Sequence, residues 1–111
     1  MSDVNYPEKT CEIDRLITQP SLVQAALSDT KSQQRRNGIY AYPGETFILQ
    51  GVAFTVTALE QAKLGEMTEA DAKAEGYPNL TAYKDLILRM HPGMEWNESH
   101  TVWVHTFEKT A

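Results

Sequence analysis

The sequence predicts an α+β protein, a small β-barrel that carries two or three short helices. Strand-like segments lie near both ends of the chain and in its middle, with helical segments between them. The strongest strand signal is a hairpin, which implies antiparallel pairing and disfavours a doubly wound parallel sheet. A barrel buries such strands without leaving long exposed edges. The 111 residues are enough for one domain with a modest core.

The first half of the chain supplies two predicted strands and one helix. A first strand is predicted in EIDRLIT, within residues 8–18. Ser21, with Gln24 three residues later, fits a capping box that opens the helix SLVQAALSD. In TFILQGVAFTVTALE, Gln50-Gly51 separates two apolar runs, and the second run alternates with the period of a strand. This segment is therefore predicted to form a hairpin.

Two more helices and a final strand are predicted in the second half. In TEADAKAEG, Thr68 is the expected N-cap, Asp71 its capping-box partner and Gly76 the stop signal. A further helix is expected from about Leu80 to Met90, before the Pro-Gly turn that follows. The segment TVWVHTFE alternates again and closes the predicted barrel.

Composition and charge narrow the possible functions. The net charge of −5 leaves no broad positive surface for wrapping long nucleic acid, so a nucleic-acid ligand would have to enter a local pocket. No apolar run reaches the roughly 18 residues of a membrane span, and the first residues lack a secretory pattern. A lone Cys11 cannot form an internal disulfide, which favours a reducing compartment, the cytoplasm. We expect a flexible segment at residues 1–7 and a single domain at 8–111, with no membrane partner.

The basic segment, Lys31–Arg36, is unusual in this acidic chain and supplies the first candidate site residues. Lys31 has two interpretations: a cleft lysine that acts as a base or holds an anion, or a solvated lysine that follows a helix. Arg35 and Arg36 would point to opposite faces of an extended segment, so at most one of them is expected to face a cleft. Arg36 could bind a phosphate or carboxylate, or form a structural salt bridge.

Aromatic residues and histidines give further candidates. Tyr40 and Tyr42 would share a face of an extended segment, either as a stacking wall for a base or as ordinary packing. His105 is either a hydrogen-bonded structural residue or part of the cleft. The three histidines show no zinc-like spacing, and the chain has no Gly-rich phosphate loop. We therefore predict no metal and no cofactor.

The order of these segments resembles the ASCH domain, a family of the PUA-like superfamily, from about Leu22 to Glu108. The family motif G-x-K-x-x-E-x-R aligns with DTKSQQRR, so that Lys31 and Arg36 match, while Asp29 replaces the Gly and Gln34 the Glu. The segments PGETF, LGEMTEADAKAEG and TVWVHTFE extend the similarity. The resemblance implies a PUA-like mixed β-barrel of about five or six strands, with a cleft for RNA or a nucleotide-like ligand.

One bacterial branch of that family, the 4-acetylcytidine amidohydrolases, uses a lysine, a threonine three residues later and a distant glutamate. By resemblance, Lys31 and Glu75 would be the catalytic lysine and glutamate. Gln34 stands in the threonine position and cannot serve as a nucleophile, whereas Ser32 offers a nearby hydroxyl.

Three functional hypotheses follow. The first is a binding module whose cleft holds RNA or a modified nucleoside through Lys31, Arg36 and aromatic neighbours. The second is a hydrolase that acts on an N-acyl cytidine or an RNA phosphodiester, with Lys31 as base or oxyanion stabiliser and Glu75 positioning water. The third is a protein–protein adaptor. A separation of less than about 6 Å between Lys31 and Glu75 within one pocket would allow them to share a ligand.

Overall fold

The computed structural model describes residues 8–90, 92–93 and 95–110. The segment 1–7, predicted to be flexible, and His91 lie outside the described residues. The chain forms three α-helices, α1 (Pro20–Leu27), α2 (Glu69–Ala74) and α3 (Leu80–Met90). It also forms four strands, β1 (Gln33–Arg36), β2 (Thr46–Leu49), β3 (Val52–Lys63) and β4 (Thr101–Lys109). Short 3-10 turns occur at Ile13–Arg15 and Leu64–Glu66.

The four strands form one curled antiparallel sheet in the order β1-β4-β3-β2. β4 lies between β1 and β3, so the last strand of the chain joins the basic segment to the central hairpin. The sheet is a half-barrel with β1 and β2 at its edges. The α+β class is confirmed, but the expected five or six strands are wrong, because the described residues form four.

The predicted first strand is a 3-10 turn instead. Its consecutive residues Leu16 and Ile17 are both buried, which the alternation of a half-buried strand does not allow. The Arg36 side chain supplies the reason for this conformation. Its guanidinium donates hydrogen bonds to the carbonyl oxygens of Leu16 and Arg15, at 2.7 and 3.1 Å from Nη2. A side chain therefore binds carbonyls that a strand would offer to a neighbouring strand.

The hairpin of β2 and β3 turns at Gln50-Gly51, as predicted. Both residues have positive φ, 49° and 84°, as in the two-residue turns that match the twist of hairpin strands. A register shift between Val56 and Ala58 reverses the alternation along β3. Leu59, rather than Ala58, is therefore buried beyond the shift.

Local signals explain the helix ends. α2 begins with the predicted capping box, in which Asp71 N–H donates to Thr68 Oγ1 at 3.1 Å and Thr68 N–H donates to Asp71 Oδ2 at 2.9 Å. α3 has the predicted bounds. The Ser21 capping box is wrong, because α1 starts one residue earlier with Pro20 in its first turn and Gln19 at the cap. Within the described residues, no helix has the length and apolar character needed to cross a bilayer.

Two apolar clusters flank a cleft. The larger one packs α1 and the 3-10 turn at Ile13–Arg15 against the sheet, around three phenylalanine rings whose centroids lie 5.4–5.8 Å apart. The smaller one packs α2 and α3 around Tyr83. Leu22 of the first cluster and Tyr83 of the second line the same cleft. The fold thus places β1 between the two apolar clusters, next to the cleft.

Candidate functional site

The cleft has a volume of about 700 Å³, within the usual range for small-molecule sites. It is lined by β1 and the residues that follow it, by the end of α2, by α3 and by the segment before β4. Its lining residues are Thr18, Gln19, Leu22, Gln34, Arg35, Arg36, Asn37, Tyr40, Leu64, Glu75, Tyr77, Tyr83, Ile87, Met90, Glu95, Asn97, His100 and Val102.

Lys31 and Glu75 form a buried ion pair beside this cleft. The Lys31 Nζ lies 3.6 Å from Glu75 Oε1, and the two residues are only 3% and 1% exposed. The same ammonium donates to the backbone carbonyls of Gln33 at 2.6 Å and Glu75 at 2.7 Å. Glu75 lines the cleft, whereas Lys31 does not. The lysine therefore contacts the cleft through the glutamate.

Backbone contacts explain why these distant residues meet. Lys31 follows α1 after Asp29, whose φ of 65° turns the chain. Ser32 N–H then donates to Ala74 O at 2.7 Å, which attaches the start of β1 to the end of α2. Gly76 has φ of 103°, and a Cβ there would lie 3.3 Å from the Ala25 Cβ and 3.5 Å from the Lys31 Cβ, the first of which is tight. A residue without a side chain suits both this conformation and this close approach.

Arg35 completes the ion cluster on the other side of Glu75. Its Nη1 donates to Glu75 Oε2 at 2.9 Å and to Gln33 Oε1 at 3.0 Å, while its Nη2 lies 3.7 Å from Asp71 Oδ2. Lys31, Arg35, Asp71 and Glu75 thus bring two positive and two negative groups together. We call these four residues the ion cluster. Pairing of this kind is what makes buried charges tolerable.

Burial dominates the ionisation of the central pair. It lowers the pKa of Lys31 to about 8, against the opposing attraction of the Glu75 carboxylate. Burial also raises the pKa of Glu75, although Lys31 and Arg35 oppose the shift. Because a pKa of about 8 lies above neutral pH, Lys31 is mostly charged there, and its ammonium already has three acceptors around it.

Arg36 and Tyr40 form one wall of the cleft. The Arg36 guanidinium carbon lies 5.1 Å from the Tyr40 ring centroid, a cation–π contact. The same guanidinium donates to Leu16 and Arg15 carbonyls, so it fixes the wall as well as the preceding turn. Both Arg35 and Arg36 line the cleft, although at most one was expected to do so. β1 is an edge strand, and long side chains from either face reach round an edge.

Gln34 is a cleft residue with an unsatisfied acceptor. Its side chain is 7% exposed, and Nε2 donates a long bond of 3.4 Å to the Arg35 carbonyl. Its Oε1 is buried and has no hydrogen-bond partner among the described residues. Leaving such an oxygen unpaired costs about 1–3 kcal/mol. Buried side-chain oxygens of folded proteins usually have a hydrogen-bond partner, either in the protein or in an ordered water molecule.

His105 supports the cleft from behind and does not line it. Tyr40 N–H donates to His105 Nε2 at 3.0 Å, and since Nε2 accepts, Nδ1 carries the proton that is donated to Gln34 O at 3.1 Å. Burial lowers the pKa of His105, which is consistent with this neutral tautomer. The residue therefore fixes the backbone on both sides of Arg36.

Two predicted ligand-binding residues lie outside the cleft lining. Ser32 is exposed, and its hydroxyl is not part of the lining. Tyr42 does not share a wall with Tyr40; its N–H donates to Glu45 Oε2 at 2.6 Å and its ring lies 5.3 Å from Lys9 Nζ.

Sequence reasoning did not assign Tyr77 and Tyr83 to the site. Their rings meet edge to face, with centroids 5.2 Å apart, and both line the cleft. Burial raises the pKa of Tyr77 to about 12, with a further contribution from the Glu75 charge. Tyr83 is at helical spacing with Leu80 and Ile87, but only the packing of α3 against α2 shows that this side of the helix borders a cleft. We call Tyr77 and Tyr83 the tyrosine wall; Arg36 and Tyr40 line the same cleft.

The charges of the lining are balanced. Two arginines, Arg35 and Arg36, face two glutamates, Glu75 and Glu95. The basic segment therefore does not give the described lining an excess of positive charge, because its cations bind protein carbonyls and carboxylates. Among the described residues, no group of three or more His, Cys, Asp or Glu side chains is placed to hold a metal ion.

Comparison with solved structures identifies the fold. An ASCH domain from Lactobacillus crispatus JV V101 superposes with a TM-score of 0.62 at 14% identity, covering 79% of this chain and 69% of the other. A protein from Enterococcus faecalis V583, described by the family model DUF984, gives a TM-score of 0.58 at 16% identity, covering 80% and 66%. No protein-family model matches the sequence, and no curated protein matches it significantly. The chain has the fold of an ASCH domain.

Proposed function

We propose that the cleft binds the base of a nucleoside, either a free modified nucleoside or a nucleotide within RNA. The observation that carries this proposal is the aromatic part of the cleft lining, in which Tyr77 contacts Tyr83 and Tyr40 lies under Arg36. Planar bases stack on such rings, with roughly 1–3 kcal/mol per base. The ASCH fold, whose resemblance implies a role in RNA metabolism, supports the same ligand class.

The residues of the basic segment have different roles in this proposal. Arg36 and Tyr40 form a flat surface for the ligand. Lys31 does not contact the ligand itself. Its ammonium orients the Glu75 carboxylate, which lines the cleft. Arg35 holds the second carboxylate oxygen. The ligand thus meets a preorganised wall rather than a set of mobile cations.

The ion cluster favours hydrolysis as a second candidate function. A buried glutamate with a raised pKa, 3.6 Å from a lysine with a lowered one, is the kind of pair that acid–base chemistry uses. Glu75 would accept a proton from water as it attacks an N-acyl cytidine, and would return it to the leaving amine. The products would be a cytidine and a carboxylic acid. An RNA phosphodiester is a poorer substrate for this site, because the arginines of the lining already bind protein acceptors.

Calorimetric titration with nucleosides and short single-stranded RNA tests the binding proposal. Tyr77→Leu should weaken binding about tenfold or more, because it removes one stacking surface. Tyr42→Leu, a matched change outside the lining, should leave the affinity unchanged. No saturable binding of any nucleoside or RNA would contradict the proposal, and equal effects of the two variants would place the ligand elsewhere.

Incubation with 4-acetylcytidine tests the second candidate. Release of cytidine by the wild type, lost in Glu75→Gln while that variant still binds nucleoside, would support hydrolysis. Binding of the nucleoside without release of cytidine would contradict hydrolysis and leave nucleoside binding as the proposed function.

A further inference from the structure

The inference concerns the sugar of the ligand, and it rests on the proposed function. We infer that the cleft selects ribose over deoxyribose, because the side-chain amide of Asn37, oriented by His100, donates a hydrogen bond to the 2′-hydroxyl oxygen of the bound nucleoside. The ligand class is therefore a ribonucleoside, either free or as part of an RNA chain.

The lining of the cleft is polar where it is exposed and mostly apolar where it is buried. The exposed members, which we call the rim, are Thr18, Gln19, Asn37, Met90, Glu95 and Asn97. The buried members include Leu22, Leu64 and Val102. A nucleoside is divided in the same way, since its base is a flat ring and its sugar carries hydroxyls. A base in the buried part leaves the sugar at the rim, where its hydroxyls keep hydrogen-bond partners.

Asn37 is the rim residue whose amide is oriented by another lining residue. His100 Nε2 lies 2.8 Å from Asn37 Oδ1, and because an amide oxygen only accepts, the imidazole is the donor. This bond holds the oxygen end of the amide and leaves the two hydrogens of Nδ2 for a ligand. Among the described residues, the Asn37 side chain has no other hydrogen-bond partner. The residue is exposed, so a ligand can reach it.

The backbone on either side of His100 fixes the imidazole in turn. His100 N–H donates to Asn97 O at 3.1 Å, and Leu64 N–H donates to His100 O at 2.9 Å. The Asn97 side chain stabilises the same turn, since Ser99 N–H donates to its Oδ1 at 2.9 Å. His100 is therefore a positioning residue, and it presents the Asn37 amide in a preorganised orientation.

Asn37 also lies next to residues proposed to stack on the base. It directly follows Arg36, whose guanidinium carbon lies 5.1 Å from the Tyr40 ring centroid, and all three residues line the cleft. The 2′-hydroxyl is attached to the carbon beside the one that carries the base, so a donor next to the stacking surface is suited to it. This hydroxyl stays free in an RNA chain, and it is the group by which a protein distinguishes RNA from DNA.

The charge of the rim suits a hydroxyl better than a phosphate. Its six described residues include no cation, and Glu95 contributes a carboxylate. Arg35 and Arg36 line the cleft, but both guanidinium groups already donate to protein acceptors. A neutral amide that donates to a neutral hydroxyl needs no compensating charge.

Nucleoside pairs that differ only in the 2′-hydroxyl provide the test. Calorimetric titration compares cytidine with 2′-deoxycytidine and adenosine with 2′-deoxyadenosine. In the better-bound pair, the ribonucleoside should bind about three- to tenfold more tightly, as expected for one hydrogen bond. In Asn37→Leu, which removes the amide at similar size, that difference should disappear. Gln61→Leu, which removes an amide at an exposed position of β3 outside the lining, should keep it.

Two variants of His100 test its positioning role. Phenylalanine keeps a ring but cannot donate to Asn37 Oδ1, so His100→Phe should reduce the preference for ribose. Glutamine has an amide N–H that can donate to the same oxygen, so His100→Gln should retain most of the preference. An unchanged preference in His100→Phe would contradict the role assigned to His100.

The outcomes separate this inference from the proposed function. Equal affinities within both pairs would overturn the selection of ribose but leave nucleoside binding standing. A preference for ribose that persists in Asn37→Leu would also overturn the inference, since another group would then contact the hydroxyl. No binding of any of the four nucleosides would contradict the proposed function itself.

Discussion

At the scale of single residues, Lys31 shows how a polar side chain can be essential to a site without facing it. The chain buries its ammonium completely and surrounds it with two carbonyl oxygens and the Glu75 carboxylate. Such a charge is costly to bury, and it is tolerable only because each partner compensates part of the cost. The lysine therefore matters first for the integrity of the wall that carries Glu75.

This role predicts a large stability loss for Lys31→Met. The substitution leaves two buried carbonyls and one buried carboxylate without the ammonium, so the free energy of unfolding should fall by about 3–5 kcal/mol. Urea denaturation measures the change. Lys109→Met is the matched control, because Lys109 forms an exposed pair with Asp29 at 3.3 Å and should contribute less than about 1 kcal/mol. Similar small losses in both variants would contradict the structural role of Lys31.

The stability of the protein should also depend on pH, because His105 is buried in its neutral form, whereas Lys31 is buried in its charged form. Because burial lowers the pKa of His105 below 6.5, the unfolded chain takes up the proton first as the pH falls. The folded state is then the less protonated one, so stability should fall below about pH 6.5, by at most about 1.4 kcal/mol per pH unit. Denaturation at pH 7, 6 and 5 measures this slope.

The His105 contribution is isolated by comparing variants. His105→Gln removes the titrating group and should give a smaller loss of stability between pH 7 and 5 than the wild type. His100→Gln changes a histidine at the cleft whose Nε2 contacts Asn37, and it should leave the His105 slope in place. An unchanged slope in His105→Gln would show that other groups control the acid sensitivity.

At the scale of secondary-structure elements, α2 is the short helix that brings Glu75 to β1. Six residues make a marginal helix on their own, so the cap and the packing must stabilise it. The reciprocal bonds of Thr68 and Asp71 start the helix, and Asp71 also lies 3.7 Å from Arg35. One side chain thus links helix initiation to the ion cluster.

The cap predicts a measurable cost for Thr68→Ala. Loss of the side-chain acceptor should reduce the free energy of unfolding by about 1 kcal/mol. Thr81→Ala, at an exposed position in the first turn of α3, should change it by less than about 0.5 kcal/mol. Both values come from thermal or urea denaturation. A Thr68→Ala variant as stable as the wild type would show that packing alone determines α2.

The elements that were predicted correctly from the sequence are those whose signals lie within the element or next to it. The Gln50-Gly51 turn, the Thr68 capping box and the bounds of α3 each depend on neighbouring residues. The first predicted strand failed because a distant side chain, Arg36, binds its carbonyls. The pattern of apolar residues cannot show that a distant side chain will bind these carbonyls in place of a neighbouring strand. The expected five or six strands came from the family resemblance, whereas the described residues form four.

The candidate site was predictable only in part. Lys31 was named from the basic segment, and Gln34 and Glu75 through the family resemblance. In the structure Lys31 contacts Glu75, and Glu75 and Gln34 line the same cleft. The unpaired oxygen of Gln34 and the tyrosine wall were not visible, because they depend on which partners the tertiary fold provides. Conversely, Ser32 and Tyr42 looked suitable by residue type but lie outside the lining.

At the scale of the whole molecule, the acidic charge and the balanced cleft predict a weak dependence of binding on salt. The net charge is −5, and the described lining pairs two arginines with two glutamates. Single-stranded RNA should therefore lose less than about threefold in affinity between 50 and 200 mM salt, because few phosphates would be neutralised. Fluorescence anisotropy measures the slope. A loss of about 10³ over that range would reveal a phosphate-binding surface outside the described cleft.

The most direct test of the account is to locate the ligand by NMR titration of isotope-labelled protein with cytidine and adenosine. The account predicts saturable shifts of the Gln34 side-chain amide and of Tyr77, with none at Gly51 in the distant hairpin. Shifts confined to the hairpin, or no saturable shift in the cleft with either nucleoside, would contradict the claim that this cleft binds a base.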